Sequence, residues 1–441
     1  MTRGNRSSCA PQRAGGRRTL RRLGPGLALG LSGALGITLV GLAPATAGTP
    51  RLLRSVGIGG YPQAVAVSPD GSTAWVSDTT DNEIVAVSTQ TGHVIERISV
   101  PGAPTGIAVS PDGSTVYVVG LAGNLSVVSV ALGEVTRTIV AGGEDDPGDE
   151  AVRVVLGPDG ATAYVSLFGG AVSVIDLASG TVTDLVWIGA YADGLVLSPD
   201  GRTLYAASCQ PATLSAIDTA TDTVTGTVAA GSCDGRVALS PDGSTAWVAG
   251  SDDGLQVVRT HPFRLARTIG LSTTSLDIAL SPDGSTAYVT LPEAGSVDLI
   301  DTATGAVTQT VSAGSTPAAI AVSPDGYTAW IADVGDDALA AFDTGTAAPP
   351  WIAAQPVDRT VPAGRTATFS VAVRGPLSPT VRWQLKVPGG YWNDIPRATS
   401  TTYTTGRLSV AQSGRSYRAI ATNREGSVSS GAARVTVTAA P

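Results

Sequence analysis

The sequence predicts an all-β chain: a seven-bladed β-propeller followed by a β-sandwich. Three observations predict it. One four-residue turn recurs seven times at a nearly constant interval. The segments between turns are short apolar strands without helical periodicity, which points to a repeated sheet rather than a helical array. Beyond a Pro-rich stretch near residue 350 the repeat gives way to a second set of short strands.

Composition narrows the functional classes. The chain has 441 residues, 43% hydrophobic and only 15% charged, against roughly 25% charged in average soluble chains. Its net charge of -8 is uneven, because residues 1–47 hold seven Arg and no acidic residue. Without them, 21 basic residues face 36 acidic ones, a net of -15. So acidic a chain lacks the clustered Lys/Arg that phosphate contact requires, which argues against nucleic acid as a partner. It also offers anionic membranes no basic patch.

Residues 1–47 read as a secretory signal. An Arg-rich stretch to Arg22 precedes an uncharged run from Leu23 to Ala43, then Ala45-Thr46-Ala47, the small-x-small pattern of a cleavage site. Arg17-Arg18-Thr19-Leu20 is similar to a twin-arginine signal, and a general secretory signal fits equally. No second apolar run of that length follows, so the mature chain, beginning at Gly48, is expected to lack a membrane span and to be secreted or held at the cell surface.

The propeller is assigned to 48–346. Ser-Pro-Asp-Gly occurs at 68–71, 110–113, 198–201, 240–243, 281–284 and 323–326, with Gly-Pro-Asp-Gly at 157–160; the Asp-to-Asp intervals are 42, 47, 41, 42, 41 and 42. Pro presets φ, Asp accepts nearby backbone hydrogen bonds, and Gly takes the left-handed position. The repeated Asp therefore reads as a turn residue, not as a ring of catalytic carboxylates. In each repeat an apolar strand such as Ile107-Ala108-Val109 precedes the turn. A second such as Ala287-Tyr288-Val289-Thr290 and a third such as Val297 to Asp301 follow, and Thr302-Ala303-Thr304-Gly305 leads to a fourth, Val307 to Val311. The last repeat, 318–343, has three strands, and Leu52 to Ile58 is an orphan able to complete it and close the ring.

Ile320-Ala321-Val322-Ser323-Pro324-Asp325-Gly326, Tyr288-Val289-Thr290 and Ile300-Asp301-Thr302-Ala303-Thr304-Gly305 carry a resemblance. The repeat resembles the YVTN family of propeller repeats found in bacterial and archaeal secreted and surface-layer proteins. Leu291 stands where that family has Asn. The resemblance implies a scaffold for binding and names no activity.

Residues 347–351 are a linker by composition, and 352–441 form the second module. Thr360 to Val373 alternates polar and apolar, Trp383 is a lone central Trp, and Tyr417 follows 34 residues later. About seven short strands of this kind suggest an immunoglobulin-like sandwich. The segment resembles the Ig-like domains appended to many bacterial secreted proteins. That likeness implies that Trp383 is the core Trp, that Tyr417 is the corner Tyr, and that the disulfide positions are occupied by Val371 and Ala419.

Candidate chemistry is sparse. Cys209 and Cys233 remain after Cys9 leaves with the signal, an even pair in an oxidising compartment. Both are expected in loops on one face, where a disulfide would contribute about 3 kcal/mol; a metal or catalytic thiol is the other reading. His93 and His261 fall between third and fourth strands on the opposite face, which leaves a Ser-His-Asp relay hard to assemble. No catalytic residue, metal ligand or cofactor is assigned. At the entry to the first strand the outer repeats carry Gln63-Ala64, Thr105-Gly106 and Ala318-Ala319. The middle ones carry Arg153, Asp193, Arg236 and Asp277. These four are the candidate ligand site at the channel mouth, with Arg–Asp pairing across blades as the alternative role. The insertion Gly142 to Glu150 holds five carboxylates, readable as a solvated acidic loop or a Ca²⁺ site.

The sequence thus reads as a binding or interaction protein rather than an enzyme, with a protein, glycan or small polar ligand as partner. A lactonase-like hydrolase and a structural surface-layer component are the alternatives.

Overall fold

The computed structural model describes residues 50–142, 149–230, 235–250, 254–345, 350–374, 379–423 and 426–439. The expected signal peptide, Cys233, most of the acidic insertion and Ala347–Pro349 of the linker lie outside them.

Among the described residues are seven four-stranded antiparallel sheets. Their first strands are Pro62–Val67, Pro104–Val109, Ala151–Leu156, Ala190–Leu197, Val237–Leu239, Ile278–Leu280 and Pro317–Val322, and the sheets are numbered here in that order. Six sheets are sequential meanders. The seventh takes its outer strand from the other end of the chain: Arg51–Gly57 pairs antiparallel with Ala338–Asp343. The first strands touch neighbour to neighbour, and Pro317–Val322 returns to Pro62–Val67.

Burial explains why the strands read as they do. Middle strands such as Thr73–Asp78 and Glu83–Ser88 are covered on both faces, which is why they read as continuous apolar runs. Outer strands such as Val94–Ser99 are largely exposed. One aromatic recurs at the same place in every second strand: Trp75, Tyr117, Tyr164, Tyr205, Trp247, Tyr288 and Trp330, all buried. These rings fill the wedge between adjacent sheets, where large flat side chains bury the most apolar area. Outer-strand arginines tie neighbours together. Arg137 donates to Leu177 O (3.2 Å) and Ala178 O (3.1 Å) of the third sheet, and Arg267 donates to Thr302 O (2.6 Å) of the sixth.

The repeated turn is a small hydrogen-bonded unit. Ser68 Oγ donates to Asp70 Oδ1 (2.6 Å), Ser72 N donates to the same oxygen (2.9 Å), and Thr73 N donates to Ser68 Oγ (3.0 Å). Hydroxyl and amide donors of this kind, led by Ser110 and Ser240, hold the Asp112 and Asp242 carboxyls down at about 2. In the Gly-Pro-Asp-Gly copy the serine is missing, and Asp159 keeps only the amide of Ala161 (3.0 Å). Each turn glycine has positive φ and faces the proline of the preceding turn; Gly71, in the first turn, faces Pro324 in the last.

In the C-terminal module, a sheet of Arg359–Pro362, Ala433–Thr438, Ser416–Asn423, Thr380–Lys386 and Trp392–Asp394 faces the pair Thr368–Ser370 and Thr402–Thr404. A further strand, Trp351–Ala354, pairs with Ala372–Arg374, so Trp351 belongs to a strand and not to the linker. Trp383 is fully buried, and its Nε1 donates to Ser400 O (2.9 Å). Phe369 stacks on Tyr417 with centroids 4.6 Å apart, and Tyr403 lies 6.0 Å from Trp383. Val371 and Ala419 are both buried in this cluster.

Two outcomes follow. Deleting Arg51–Gly57 uncovers Ala338–Asp343, every residue of which is buried; size-exclusion chromatography with light scattering is expected to show aggregated or oligomeric material in place of monomer. Trp383→Ala is expected to cost about 3–5 kcal/mol. That is comparable with the stability of a small domain, so calorimetry should lose the C-terminal module's transition and retain the propeller's.

Candidate functional site

The first strands of five sheets begin with a β-bulge, and in the third and fourth sheets the bulge places Arg153 and Asp193. In the third sheet the register slips between Ala151 and Arg153, which leaves an extra residue on the first strand. A second-strand hydroxyl fills that gap, Arg153 N donating to Ser166 Oγ (3.1 Å); in the sixth sheet, whose ladder runs without a register shift, Asp277 N donates likewise to Thr290 Oγ1 (2.9 Å). Ser166 Oγ in turn donates to Asp193 O (2.8 Å) in the next sheet. A bulge re-aims a side chain, and here the re-aimed side chains turn toward the centre. Close approach of the strands requires glycine at Gly194, where a Cβ would lie 2.2 Å from Gly235 O.

All four sequence-selected residues meet at the centre. Arg153 Nε lies 3.5 Å from Asp193 Oδ1, Arg236 Nε lies 3.8 Å from the same oxygen, and Arg236 Nη1 lies 3.5 Å from Asp277 Oδ2. The side chains are 11–14% exposed. The result is one alternating chain of charges across the third to sixth sheets. Arg153 Nη1 also donates to Thr105 O (2.9 Å) and Val152 O (3.1 Å). Asp277 accepts from Ile278 N (2.8 Å) and from Ile320 N (2.9 Å), which ties the sixth sheet to the seventh. Burial pushes the Asp277 carboxyl up to about 6, against the opposing pull of the Ile320 amide, Arg153 and the Ile278 amide. Pairing across sheets, the alternative role weighed from sequence, is therefore present in the geometry.

Asp193 pairs with both arginines, and Arg153, Arg236 and Asp277 line a central cavity of about 150 Å³. Its walls come from all seven first strands, or the residue beside them, and include Val65, Ile107, Arg153, Gly194, Asp277 and Ala319. The four-residue charge chain is balanced when Asp277 is ionised and carries one net positive charge when it is protonated.

A second pocket of about 270 Å³ opens beside it, lined by Val152, Phe168, Tyr191, Ala192, Asp193, Cys209 and Gln210. Sequence reasoning missed Phe168, Tyr191 and Gln210. The available signal was an irregular fourth repeat, in which the first two strands run to eight residues, Ala190–Leu197 and Thr203–Gln210, instead of the usual six. Cys209 accordingly lies buried at the end of a strand and not in a loop. The extension adds a cross-strand pair, Ala190 with Gln210, beyond the length seen in the other sheets.

Elsewhere the carboxylates serve the fold. A cleft of about 550 Å³ lies at the opposite ends of the strands, where the turn hydroxyls engage Asp242 and Asp283. Asp78, Asp81 and Glu83 cluster, but Asp78 Oδ1 accepts from Tyr61 N (2.9 Å) and Asp81 N (3.1 Å), and Glu83 pairs with Arg97. Asp149, from the acidic insertion, accepts from Gly169 N (2.7 Å). His93 and His261 are exposed in the turns between third and fourth strands, away from the central cavity. No helix among the described residues is long and apolar enough to cross a membrane.

Comparison with known proteins identifies the fold of the repeat region. No protein-family model matches the chain. The β-propeller domain of Cps50 (Swd1) from Myceliophteria thermophila superposes with a TM-score of 0.60 at 11% identity, covering 67% of this chain and 99% of that one. Kuenenia stuttgartiensis hydrazine synthase gives 0.58 at 22% identity, covering 65% and 96%. With seven four-stranded sheets in the chain, these likenesses support a β-propeller. A curated relative, endoglucanase C of Cellulomonas fimi, is 44% identical over 99 residues, 22% of this chain; the chain spans 9% of that protein.

The Asp277 carboxyl sets a pH dependence. Its folded value, about 6, lies above the ordinary 3.8, so the folded state holds the proton more tightly than the unfolded one. Stability from this group is therefore full below about pH 4 and is lost as pH rises through 6. Asp277→Asn removes the titration. Melting curves from pH 4 to 7 are expected to show wild type losing stability relative to the variant as pH rises; parallel curves contradict the assignment.

Proposed function

We propose that this chain is a secreted or cell-surface binding protein. Its seven sheets are the blades of one closed YVTN-type propeller, which serves as a scaffold for a protein, glycan or small polar ligand. The residues beyond the linker form an immunoglobulin-like module that acts as spacer or adhesion unit. The observation that carries the reading is the convergence of all seven first strands on one cavity lined by Arg153, Arg236 and Asp277, which Asp193 joins into a charge chain across four consecutive blades. The apolar strands and turns recur in every blade, whereas these charges appear only in the third to sixth. Arg presents a fork suited to carboxylates and other oxyanions. The immunoglobulin-like reading draws support from the aromatic core around Trp383 and Tyr417. The 99-residue match to a stretch of an endoglucanase is close to that module in length.

Export is part of the proposal, with cleavage after Ala47 and a Cys209–Cys233 disulfide beside the channel mouth. Cys209 is buried there, and Cys233 precedes Arg236 by three residues. A bond at that point would stiffen the loop that carries Arg236 and lower the ordering cost of binding.

Intact-mass measurement of protein from the culture medium is expected to give a chain starting at Gly48, two hydrogens lighter than its reduced form. A chain starting upstream of Arg22, or two free thiols, contradicts the export reading. For the site, a thermal-shift screen with small organic acids is expected to raise the melting temperature of wild type and not that of the Arg153→Ala/Arg236→Ala double variant. A large fall in the variant's melting temperature, with no compound stabilising wild type, assigns the four residues to pairing alone.

A further inference from the structure

We propose that the pocket between the third and fourth sheets is a site for a neutral saccharide of one or two rings, stacked against Phe168 and Tyr191. The inference rests on the binding-scaffold reading above and gives it a ligand class.

The aromatic wall comes first. Phe168 and Tyr191 are 46% and 40% exposed, and their rings meet edge to face with centroids 4.7 Å apart. Of the four phenylalanines in the chain, Phe342 and Phe369 are fully buried and Phe263 packs under its sheet; Phe168 alone stands half in solvent. The fold does not require it there. Tyr191 is held at φ +59, a left-handed conformation that is unusual for a bulky residue. The backbone thus places the ring over the pocket at some cost in strain. An aromatic face carries partial negative charge, and the C–H groups on one side of a sugar ring supply the complementary surface.

The polar groups favour hydroxyls over charge. Asp193 is the one lining residue charged at neutral pH, and it already faces Arg153 at 3.5 Å and Arg236 at 3.8 Å. A charged ligand would find no free counter-charge. Gln210 and Tyr191 are exposed at the rim, and neither side chain hydrogen-bonds to any described residue. A carboxamide and a phenol together donate and accept, which matches a ring bearing several hydroxyls. The volume of about 270 Å³ falls just under the range of roughly 300–1,000 Å³ for drug-sized ligands, so the site suits a short saccharide end and not a long chain lying in a groove.

The test uses the full secreted protein and saturation-transfer NMR with glucose, galactose, mannose, N-acetylglucosamine and cellobiose, and with gluconate and citrate as an anionic arm. At least one neutral sugar is expected to receive saturation at its ring C–H protons. Phe168→Ala and Tyr191→Ala should each weaken that binding ten-fold or more, Tyr191→Phe should weaken it less, and all three should melt as wild type does, since both rings are half exposed. The inference is overturned if no neutral sugar binds, or if one binds equally well to both alanine variants. Binding of the anions alone, abolished by Arg153→Ala/Arg236→Ala, would also overturn it while leaving the scaffold reading in place.

Discussion

The structure depends on one pairing, that of Arg51–Gly57 with Ala338–Asp343. The second of these strands is buried at every residue, so it needs a partner on its outer edge as well as its inner one. The partner comes from nearly three hundred residues away in sequence. Without that pairing the seventh sheet has three strands, and the contact between Pro317–Val322 and Pro62–Val67 loses its support. The turns repeat the closure on the other side, where Gly71 packs against Pro324. A ring closed in two layers fixes the distance of every first strand from the centre, and the central residues inherit their geometry from it.

That inheritance explains how two arginines and two aspartates tolerate burial. Moving charges out of water is costly, and an ion pair recovers the cost only when its geometry and additional hydrogen bonds are good. Here the separations are 3.5–3.8 Å, longer than the best charge-assisted contacts. Backbone groups supply the rest: Thr105 O and Val152 O take Arg153, and the amides of Ile278 and Ile320 take Asp277. The chain of charges is anchored at both ends by main-chain atoms of sheets outside it. Removing a member would strand a charge rather than only delete a contact.

Much of this was legible because the repeat supplies its own control. Seven copies of one turn separate what every sheet needs, such as Asp70 or Asp242, from what only some carry, such as Arg236. The closing strand was legible because a repeat lacking its last strand and an orphan at the other end complement each other. The pocket was not. Phe168 follows an apolar strand and reads as core, and Tyr191 precedes one. Only the extra pair Ala190–Gln210 lifts that hairpin beyond its neighbours, and pair formation depends on register, which a run of small residues such as Ala206-Ala207-Ser208 does not specify. For the same reason Cys209 reads as a loop residue and lies on a strand.

Asp193 lines the aromatic pocket and pairs with the two arginines of the central cavity, and this links rigidity to recognition. Its carboxylate belongs to the charge chain, its carbonyl accepts from Ser166, and its side chain forms the inner wall of the aromatic pocket. A binding site needs side chains held in place by a supporting shell, since ordering them at the moment of binding reduces affinity. The buried charges provide that shell on one side, and the extended fourth-sheet hairpin provides it on the other. The mouth of the ring is therefore the place where this otherwise regular chain is both least repetitive and most firmly constrained, a combination that the blades themselves do not require.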